Sequence, residues 1–154
     1  MDGIDLDLMR KKLASELTEK RYVHSLNVAD TAVEMARRYG ADEEKIYLAG
    51  LLHDCGKSYK GNAAREFVKK IGYQPDGIEL LQPGLLHGVI GEYLARHEYG
   101  VADPEILSAI RWHTTGRAGM SVLEKIIYIA DYIEPGRNFE GIEAMREEAF
   151  RDLD

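Results

Sequence analysis

The amino-acid sequence predicts an all-α fold made of one domain. Apolar residues recur at helical spacing along the chain, and no run of alternating β-branched residues indicates a strand. Glycines and the few prolines lie between the periodic segments, where helices begin or end. The 154 residues, 45% hydrophobic and 31% charged, are typical of a globular domain with its own packed core. We therefore expect residues 1–154 to form a single helical domain.

The expected helices cover about residues 5–17, 19–39, 43–55, 62–71, 85–99, 103–113, 121–133 and 139–154. Gly40 can adopt the left-handed conformation that ends a helix, and Asp42 can cap the next one. The string Asp103-Pro104-Glu105 combines a capping carboxylate, a proline in the first turn and an acid near the positive helix end. The most apolar helix ends at Glu134-Pro135-Gly136. The stretch 72–84 is looser and indicates a connection without a long helix.

Charge and composition exclude several classes of function. The formal net charge is −7, so a diffuse acidic surface repels a nucleic-acid backbone and no nucleic-acid partner is expected. No apolar run approaches the roughly 20 residues that a membrane helix needs, and the N-terminus lacks the apolar stretch of a signal peptide. Cys55 is the single cysteine, which excludes an internal disulfide. We expect a cytoplasmic protein without membrane contact.

An ordered series of imidazole and carboxylate side chains is the most informative feature of the chain. These groups are the ligands that hold divalent cations in open, hydrolytic sites. Adjacent His53 and Asp54 end an apolar helix, and the carboxylate could bridge two cations about 4 Å apart. Asp131 interrupts the most apolar helix, where a carboxylate without a cation or several donors would be costly. The series consists of His24, His53, Asp54, His87, His113 and Asp131.

Each member of the series could also have a purely structural role. A single histidine on a helix more often packs in the core or lies at the surface than binds a metal. His97 lies about 15 Å along a continuous helix from His87 and cannot join the same cluster, so we interpret it as a surface residue. The six residues together favour a metal site. A nitrogen and oxygen donor set without thiolate suits iron, manganese or another divalent ion better than a closed structural zinc site.

The strings around these residues are similar to motifs of a known family. They are RYVHSLNVA, LAGLLHDCGK, AIRWHTTG and YIADYIEPGR. The order His … His-Asp … Asp resembles that of the HD-domain metal-dependent phosphohydrolases. The HTTG and EPGR strings resemble their YqeK-like branch, the symmetrical diadenosine tetraphosphate hydrolases. The resemblance extends from about residue 15 to 140. It implies an HD-domain helical bundle with a metal site between helices, followed by a C-terminal helix over about 139–154.

The resemblance also implies roles for individual residues. It assigns the core metal site to His24, His53, Asp54 and Asp131. His87 and His113 match positions that either ligate a second ion or contact substrate phosphate, and the choice stays open. The positions that match phosphate- or nucleotide-contacting residues are Arg21, Lys57, Thr114 and Arg137. The residues expected to take part in catalysis are Asp54, Lys57, His87 and His113.

Simpler interpretations exist for some of these residues. Arg21 and Lys57 could be solvated charges at helix ends, and Thr114 could belong to a turn. Arg137 follows Pro135-Gly136, and a glycine turn can present its guanidinium to a phosphate, which the planar fork binds with two hydrogen bonds. Cys55 is expected to be a bystander. The resemblance implies one or two divalent ions, iron first, with manganese or another ion left open.

The implied reaction is hydrolysis of bis(5'-nucleosyl) tetraphosphate (Ap4A) at its central bridge, in which a metal-activated water releases two ADP. The enzyme alternative is another HD-type nucleotide phosphohydrolase, such as a nucleoside monophosphatase or a cyclic-nucleotide phosphodiesterase. The non-enzymatic alternative is a non-catalytic module of the same fold that senses a nucleotide. The expected partner is a small-molecule dinucleoside polyphosphate or nucleotide, and a homodimer is left open.

Overall fold

The computed structural model describes residues 3–154, and all regular secondary structure in this range is helical, which confirms the predicted fold class. Within the same range, no helix has both the length and the apolar character required to cross a membrane. The α-helices are α1 (Leu6–Glu16), α2 (Glu19–Tyr39), α3 (Glu43–Leu52), α4 (Asn62–Lys70), α5 (Gly77–Leu81), α6 (His87–His97), α7 (Pro104–Trp112), α8 (Val122–Ile133) and α9 (Ile142–Ala149). Short 3₁₀ turns cover Cys55–Ser58 and Pro83–Leu86.

The expected capping residues begin and end several helices. The carboxylate of Asp42 accepts a backbone N–H of the first turn of α3 at 3.1 Å, and Asp103 caps α7 in the same way. Ser121 and Glu124 form a reciprocal capping box at the start of α8. Gly40 follows α2 with a φ of 72°, which glycine adopts without a steric penalty. Side chains next to the helix ends thus set these boundaries.

Two segments differ from the expected pattern. The stretch between α4 and α6 contains the short helix α5, which begins with a capping box between Asp76 and Glu79. The last helix is shorter than the expected 139–154. It begins after Gly141, whose φ is 88°, and ends at Ala149. The residues beyond it include exposed aspartates, and acidic groups near a helix C-terminus oppose its dipole, so a longer helix is disfavoured.

Glycines allow the close helix packing that positions the site. A Cβ atom on Gly50 of α3 would lie 2.7 Å from the Cα atom of Ala29 in α2, so only glycine permits this approach. A Cβ atom on Gly56 would lie 2.7 Å from the backbone nitrogen of Gly91 and would also contact the carbonyl oxygen of His87. The 3₁₀ turn after α3 therefore packs directly against the first turns of α6.

One main apolar core joins α1, α2, α3, α7 and α8. Its fully buried side chains include Leu13, Met35, Ile46, Leu51, Leu52, Ile106, Ile110, Ile126 and Ile127. A smaller cluster packs α4 against α6 and consists of Ala64, Val68, Leu86, Val89 and Ile90. Among the described residues, His53 has one of the largest fully buried side chains. Core packing therefore holds the C-terminal end of α3, which His53 directly follows.

Candidate metal centre

The side chains of the His/Asp series lie close together, between the ends of α2, α3, α6, α7 and α8. His24 lies in α2, and Asp131 lies in the last turn of α8. The other members stand at helix ends, with His53 and Asp54 directly after α3, His87 at the start of α6 and His113 directly after α7. His53 is 0% exposed, His113 1% and Asp54 2%. The middle of the cluster is therefore shielded from bulk water.

Asp54 faces two pairs of imidazoles. Its Oδ2 atom lies 3.4 Å from Nε2 of His53 and 3.6 Å from Nε2 of His24. Its Oδ1 atom lies 3.3 Å from Nε2 of His113 and 3.7 Å from Nε2 of His87. Each oxygen of one carboxylate thus has its own pair of nitrogen donors. This is an arrangement in which a carboxylate can bridge two cations.

Asp131 adds a second carboxylate on the side of His24. Its Oδ1 atom lies 2.8 Å from Nε2 of His24 and 3.5 Å from Nε2 of His53. Among residues 3–154, two groups of three residues each offer one ligand atom per residue with all three atoms within 4.8 Å of one another, namely His24-His53-Asp131 and His53-Asp54-His113. Because His53 belongs to both groups, the cluster is one continuous set of donors.

Backbone carbonyls orient three of the imidazoles. Nδ1 of His53 and Nδ1 of His113 each lie 2.7 Å from the carbonyl oxygen three residues earlier, and Nδ1 of His87 makes the corresponding hydrogen bond. A neutral imidazole that donates its Nδ1 hydrogen in this way presents an unprotonated Nε2 atom. Metal-ligating histidines are held by such hydrogen bonds at the nitrogen that does not bind the metal.

The facing Nε2 atoms provide a test of whether the donors fit a cation. The Nε2 atoms of His87 and His113 lie 3.0 Å apart, and those of His24 and His53 lie 3.3 Å apart. When both members of a pair are neutral and donate from Nδ1, two lone pairs face each other. A proton or a cation between them removes the repulsion. With two carboxylates beside these nitrogens, the donor set fits a divalent cation.

Charges inside the cluster shift the pKa values of its members. Burial by itself lowers the pKa of His53, but the carboxylates of Asp54 and Asp131 raise it to about 10. Burial favours the protonated carboxyls, yet the imidazoles outweigh it and hold the pKa values of Asp54 and Asp131 well below their usual range. Burial and the charge of His113 lower the pKa of His87 to about 4. The carboxylates and the imidazole of His53 thus stabilise each other's charged forms, whereas burial favours the neutral form of His87.

Glu134 is a residue of the site that the sequence analysis treated only as a helix stop. Its Oε2 atom accepts a hydrogen bond from Nδ1 of His24 at 2.9 Å. The residue is 2% exposed, and its Oε1 atom has no hydrogen-bond partner among residues 3–154. A Cβ atom on Gly136 would lie 2.5 Å from this Oε1 atom, so glycine leaves space for the carboxylate. The EPGR string contained the signal, a carboxylate beside a glycine turn after the Asp131 helix.

Arg21 and Arg137 place guanidinium groups on the two carboxylates of the cluster. Nη1 of Arg21 lies 3.5 Å from Oδ2 of Asp54. Arg137 donates from Nη2 to Oδ1 of Asp131 at 3.1 Å and from Nε to the carbonyl oxygen of Asp131 at 3.0 Å. The side chains of Arg21 and Arg137 are 42% and 43% exposed. Both guanidinium groups therefore border the cluster and face solvent.

Thr114 and Lys57 both act on the imidazole of His87. Oγ1 of Thr114 lies 2.9 Å from Nε2 of His87. Lys57 is half-buried in the 3₁₀ turn after Asp54, and its charge contributes to the lowered pKa of His87. Thr114 thus brings a hydroxyl group to the Oδ1 side of Asp54, and the charge of Lys57 acts on the same imidazole.

Cys55 and His97 lie outside the cluster. The Sγ atom of Cys55 lies 3.4 Å from the carbonyl oxygen of Gly91, and burial raises the pKa of the thiol. His97 is exposed at the far end of α6, where its ring centroid lies 4.1 Å from that of Tyr93. In the described part of the chain, neither side chain belongs to the groups of clustered donor atoms.

Two open clefts meet at Arg137. The basic cleft has a volume of about 540 Å³, and its lining includes Lys20, Arg21, His24, Glu134 and Arg137. The aromatic cleft has a volume of about 530 Å³ and is lined by Asp131, Tyr132, Arg137, Phe139 and Met145. Each cleft contains a member of the His/Asp series in its wall, so a ligand in either one can reach the candidate metal centre.

Comparisons with known proteins show which family this chain belongs to. The family model for the HD domain matches residues 21–136. Three relatives carry the name "Bis(5'-nucleosyl)-tetraphosphatase, symmetrical". The relative from Halalkalibacterium halodurans is 47% identical over 89% of this chain and 73% of its own length. Those from Bacillus subtilis and Staphylococcus aureus are 44% and 46% identical, over 90% and 91% of this chain and 74% and 72% of their own lengths.

A solved structure has the same fold. It is the crystal structure of an HD superfamily hydrolase from Clostridium acetobutylicum, which is described as involved in NAD metabolism. The two chains are 47% identical and superpose with a TM-score of 0.94, over 98% of this chain and 80% of the other. The family match and the relatives together lead to one conclusion. This chain belongs to the HD domain family.

Proposed function

We propose that this protein hydrolyses bis(5'-nucleosyl) tetraphosphates such as Ap4A at the central phosphate bridge and releases two ADP. Relatives with 44% to 47% identity over most of the chain carry the name of this activity. The observation that carries the proposal is the Asp54 carboxylate, whose oxygens face two separate pairs of imidazole Nε2 atoms. Such a site is suited to phosphoryl chemistry, in which cations must balance the charge of the phosphates.

The proposed ligands of one divalent cation are His24, His53, Asp54 and Asp131. A bound cation lowers the pKa of water enough to make hydroxide available near neutral pH. His87 and His113 have one of two roles. Neutral imidazoles offer their Nε2 atoms to a second cation, whereas protonated ones donate a hydrogen to a phosphate oxygen. The metal content of a His87→Ala variant distinguishes these roles, because only the first role costs one metal equivalent.

We propose iron as the native metal. The nitrogen and oxygen donors around Asp54 suit iron, manganese and other divalent ions, and the resemblance to the YqeK-like branch puts iron first. Elemental analysis of protein purified without chelators tests the assignment. Manganese in place of iron would contradict it.

The side chains around the ligands are proposed to position the phosphates and balance their charge. Arg21 and Arg137 are each tethered to a ligand carboxylate and present planar guanidinium groups to solvent. Lys57 follows Asp54 by three residues, and its charge acts on the imidazole of His87. These fixed cations stabilise the charge that develops on the phosphoryl oxygens, without reorganisation during the reaction. The leaving group is itself a phosphate and far less basic than an alkoxide, so a strong general acid is less needed.

Product analysis tests the position of cleavage. Metal-loaded protein is expected to convert Ap4A into ADP alone, which ion-exchange chromatography separates from AMP and ATP. An equimolar mixture of AMP and ATP would contradict cleavage at the central bridge.

A substrate panel tests the alternatives. Faster turnover of a nucleoside monophosphate or a cyclic nucleotide than of Ap4A would favour another HD-type phosphohydrolase. A protein with its full metal content that binds nucleotide and hydrolyses none of these esters would favour the sensing module.

Three further properties belong to the proposal. We expect the protein to act in the cytoplasm on a small-molecule substrate and to bind no nucleic acid, in keeping with its net charge of −7. Titration with duplex DNA at low salt tests the second expectation. The oligomeric state is left open between a monomer and a homodimer. Sedimentation of the purified protein distinguishes the two.

A further inference from the structure

We propose that the aromatic cleft is a nucleobase site, in which Tyr132 and Phe139 stack on one base of the substrate. The inference rests on the proposed function and extends it from the phosphates to the nucleoside. Tyr132 is 46% exposed, Phe139 41% and Met145 43%, and all three line the same cleft. Adjacent large apolar side chains at a concave surface are typical of a ligand site.

The aromatic cleft is continuous with the candidate metal centre. Asp131 and Arg137 form part of its wall. The Oδ1 atom of Asp131 also lies 2.8 Å from Nε2 of His24, inside the His/Asp cluster. Tyr132 directly follows Asp131 in α8. A nucleotide whose phosphates contact Arg137 and the cluster therefore has the aromatic side chains within reach of its base.

Hydrogen bonds hold the two walls of the cleft together. Arg146 of α9 donates from Nε to the carbonyl oxygen of Ile133 at 2.9 Å. Its Nη2 atom donates to the carbonyl oxygens of Glu134 and Arg137, each at 3.0 Å. These bonds tie α9 to the end of α8 and to the turn that follows it. The cleft is therefore formed before a ligand binds, which reduces the entropic cost of binding.

The two clefts differ in the charge of their linings, which indicates different roles. The basic cleft contains Lys20 and Arg21 beside Arg137, so it suits the polyphosphate. Among the described residues that line the aromatic cleft, Arg137 is the cation, and it stands at the boundary between the clefts. Stacking on an aromatic ring is tolerant of base identity because every base has a π-face. We therefore expect ADP and GDP to bind with similar affinity.

Calorimetric titration of the metal-loaded protein tests the site, with ADP as the nucleotide and inorganic pyrophosphate as the probe without a base. The double variant Tyr132→Ala/Phe139→Ala is expected to bind ADP about tenfold more weakly and pyrophosphate as well as wild type, because only ADP loses a stacked base. Tyr132→Phe keeps the ring and is expected to bind ADP like wild type. Val122→Ala is the matched control, since it removes a 47% exposed apolar side chain from the other end of α8.

Two results would overturn the proposal. One is an unchanged ADP affinity in the double variant. If the double variant also changed from dimer to monomer in sedimentation, the cleft would be identified as a contact with a second copy of the chain. The other is an equal loss of affinity for ADP and pyrophosphate, which indicates damage to the phosphate contacts.

The titration separates this inference from the proposed function, because ADP binding is measured without turnover. If wild-type protein binds ADP through the two rings but releases AMP and ATP from Ap4A, central cleavage is wrong and the nucleobase site stands. If wild-type protein releases ADP alone while the double variant keeps its ADP affinity, the nucleobase site is wrong and the activity stands.

Discussion

Glu134 accepts a hydrogen bond from Nδ1 of His24 at 2.9 Å, while Nε2 of the same imidazole faces Oδ1 of Asp131 at 2.8 Å. A carboxylate at Nδ1 fixes the tautomer that leaves Nε2 free for a cation and raises the basicity of that nitrogen. His53, His87 and His113 use backbone carbonyls for the same purpose. His24, in the second turn of α2, uses a side chain instead.

Replacing Glu134 with alanine is expected to weaken metal binding about 10- to 100-fold, because His24 loses the group that orients it. Competition with a chelating indicator measures the dissociation constant without reference to activity. Glu134→Gln keeps an oxygen acceptor for Nδ1 and is expected to recover much of the affinity. Glu140→Ala removes an exposed carboxylate from the same segment and serves as the control. Wild-type affinity in Glu134→Ala would contradict this role.

Replacing Asp54 with alanine is expected to abolish turnover and metal binding together, since the carboxylate faces every imidazole of the cluster. The fold is expected to survive, because Asp54 follows α3 and the apolar core does not depend on it. Elemental analysis, circular dichroism and an Ap4A assay check these outcomes. Asp30→Ala, which removes an exposed carboxylate from α2, is the control. Normal turnover by the Asp54 variant would show that the site lies elsewhere.

Local chemistry explains why most helix boundaries could be predicted. The caps at Asp42, Asp103 and Ser121 act within one turn of their own helix, so the sequence contains the complete signal. Helix α5 was not predicted. Its five residues are too few to show an apolar period, and the flanking prolines indicated a loop. The capping box of Asp76 and Glu79 is what begins this helix.

The site could be predicted only in part. Residue type and order indicated the imidazoles and the two aspartates, because these chemical groups bind cations in any fold. The contacts of Glu134 with His24 and of Arg146 with the turn after α8 join residues that are distant along the chain. Side chains of these types are usually solvated, so composition gives no signal for such contacts. The ring orientations that expose Nε2 likewise depend on hydrogen bonds that only the folded structure defines.

Stability at low pH is expected to depend on Glu124. Arg117 donates to its two carboxylate oxygens at 2.6 and 2.8 Å. Burial by itself raises the pKa of Glu124, but the hydrogen bonds from Arg117 and Ser121 outweigh burial and lower it. A carboxylate with a lowered pKa in the folded state stabilises the fold above about pH 4.3 and loses this contribution as the pH falls.

Glu124→Gln is therefore expected to lower the free energy of unfolding at pH 7 by about 1 kcal/mol, a small value because Arg117 is 43% exposed and solvent screens the pair. Below about pH 4.3 the difference from wild type is expected to shrink. Urea unfolding at a series of pH values measures both effects. Glu148→Gln is the control, since Glu148 and its partner Arg151 are 59% and 71% exposed. A difference between Glu124→Gln and wild type that stayed constant with pH would contradict the assignment.

Gly50 is expected to determine how closely α3 can pack against α2. A Cβ atom at this position would lie 2.7 Å from the Cα atom and 3.0 Å from the backbone nitrogen of Ala29. Alanine has a higher helix propensity than glycine by about 1 kcal/mol, but here the two helices would have to separate to admit it. The carbonyl oxygen of Gly50 also accepts the Nδ1 hydrogen of His53. A shift of α3 would therefore reach the candidate metal centre.

Gly50→Ala is expected to lower the free energy of unfolding by about 1 to 3 kcal/mol, since backbone atoms leave no space for the added methyl group. Metal affinity is expected to fall as well, through the displaced imidazole of His53. Gly77→Ala is the matched control, because a Cβ atom on Gly77 would have no heavy atom within 4 Å among the described residues. That variant is expected to be at least as stable as wild type. If Gly50→Ala were equally stable, α2 and α3 could separate without cost, and this glycine would not be what sets their spacing.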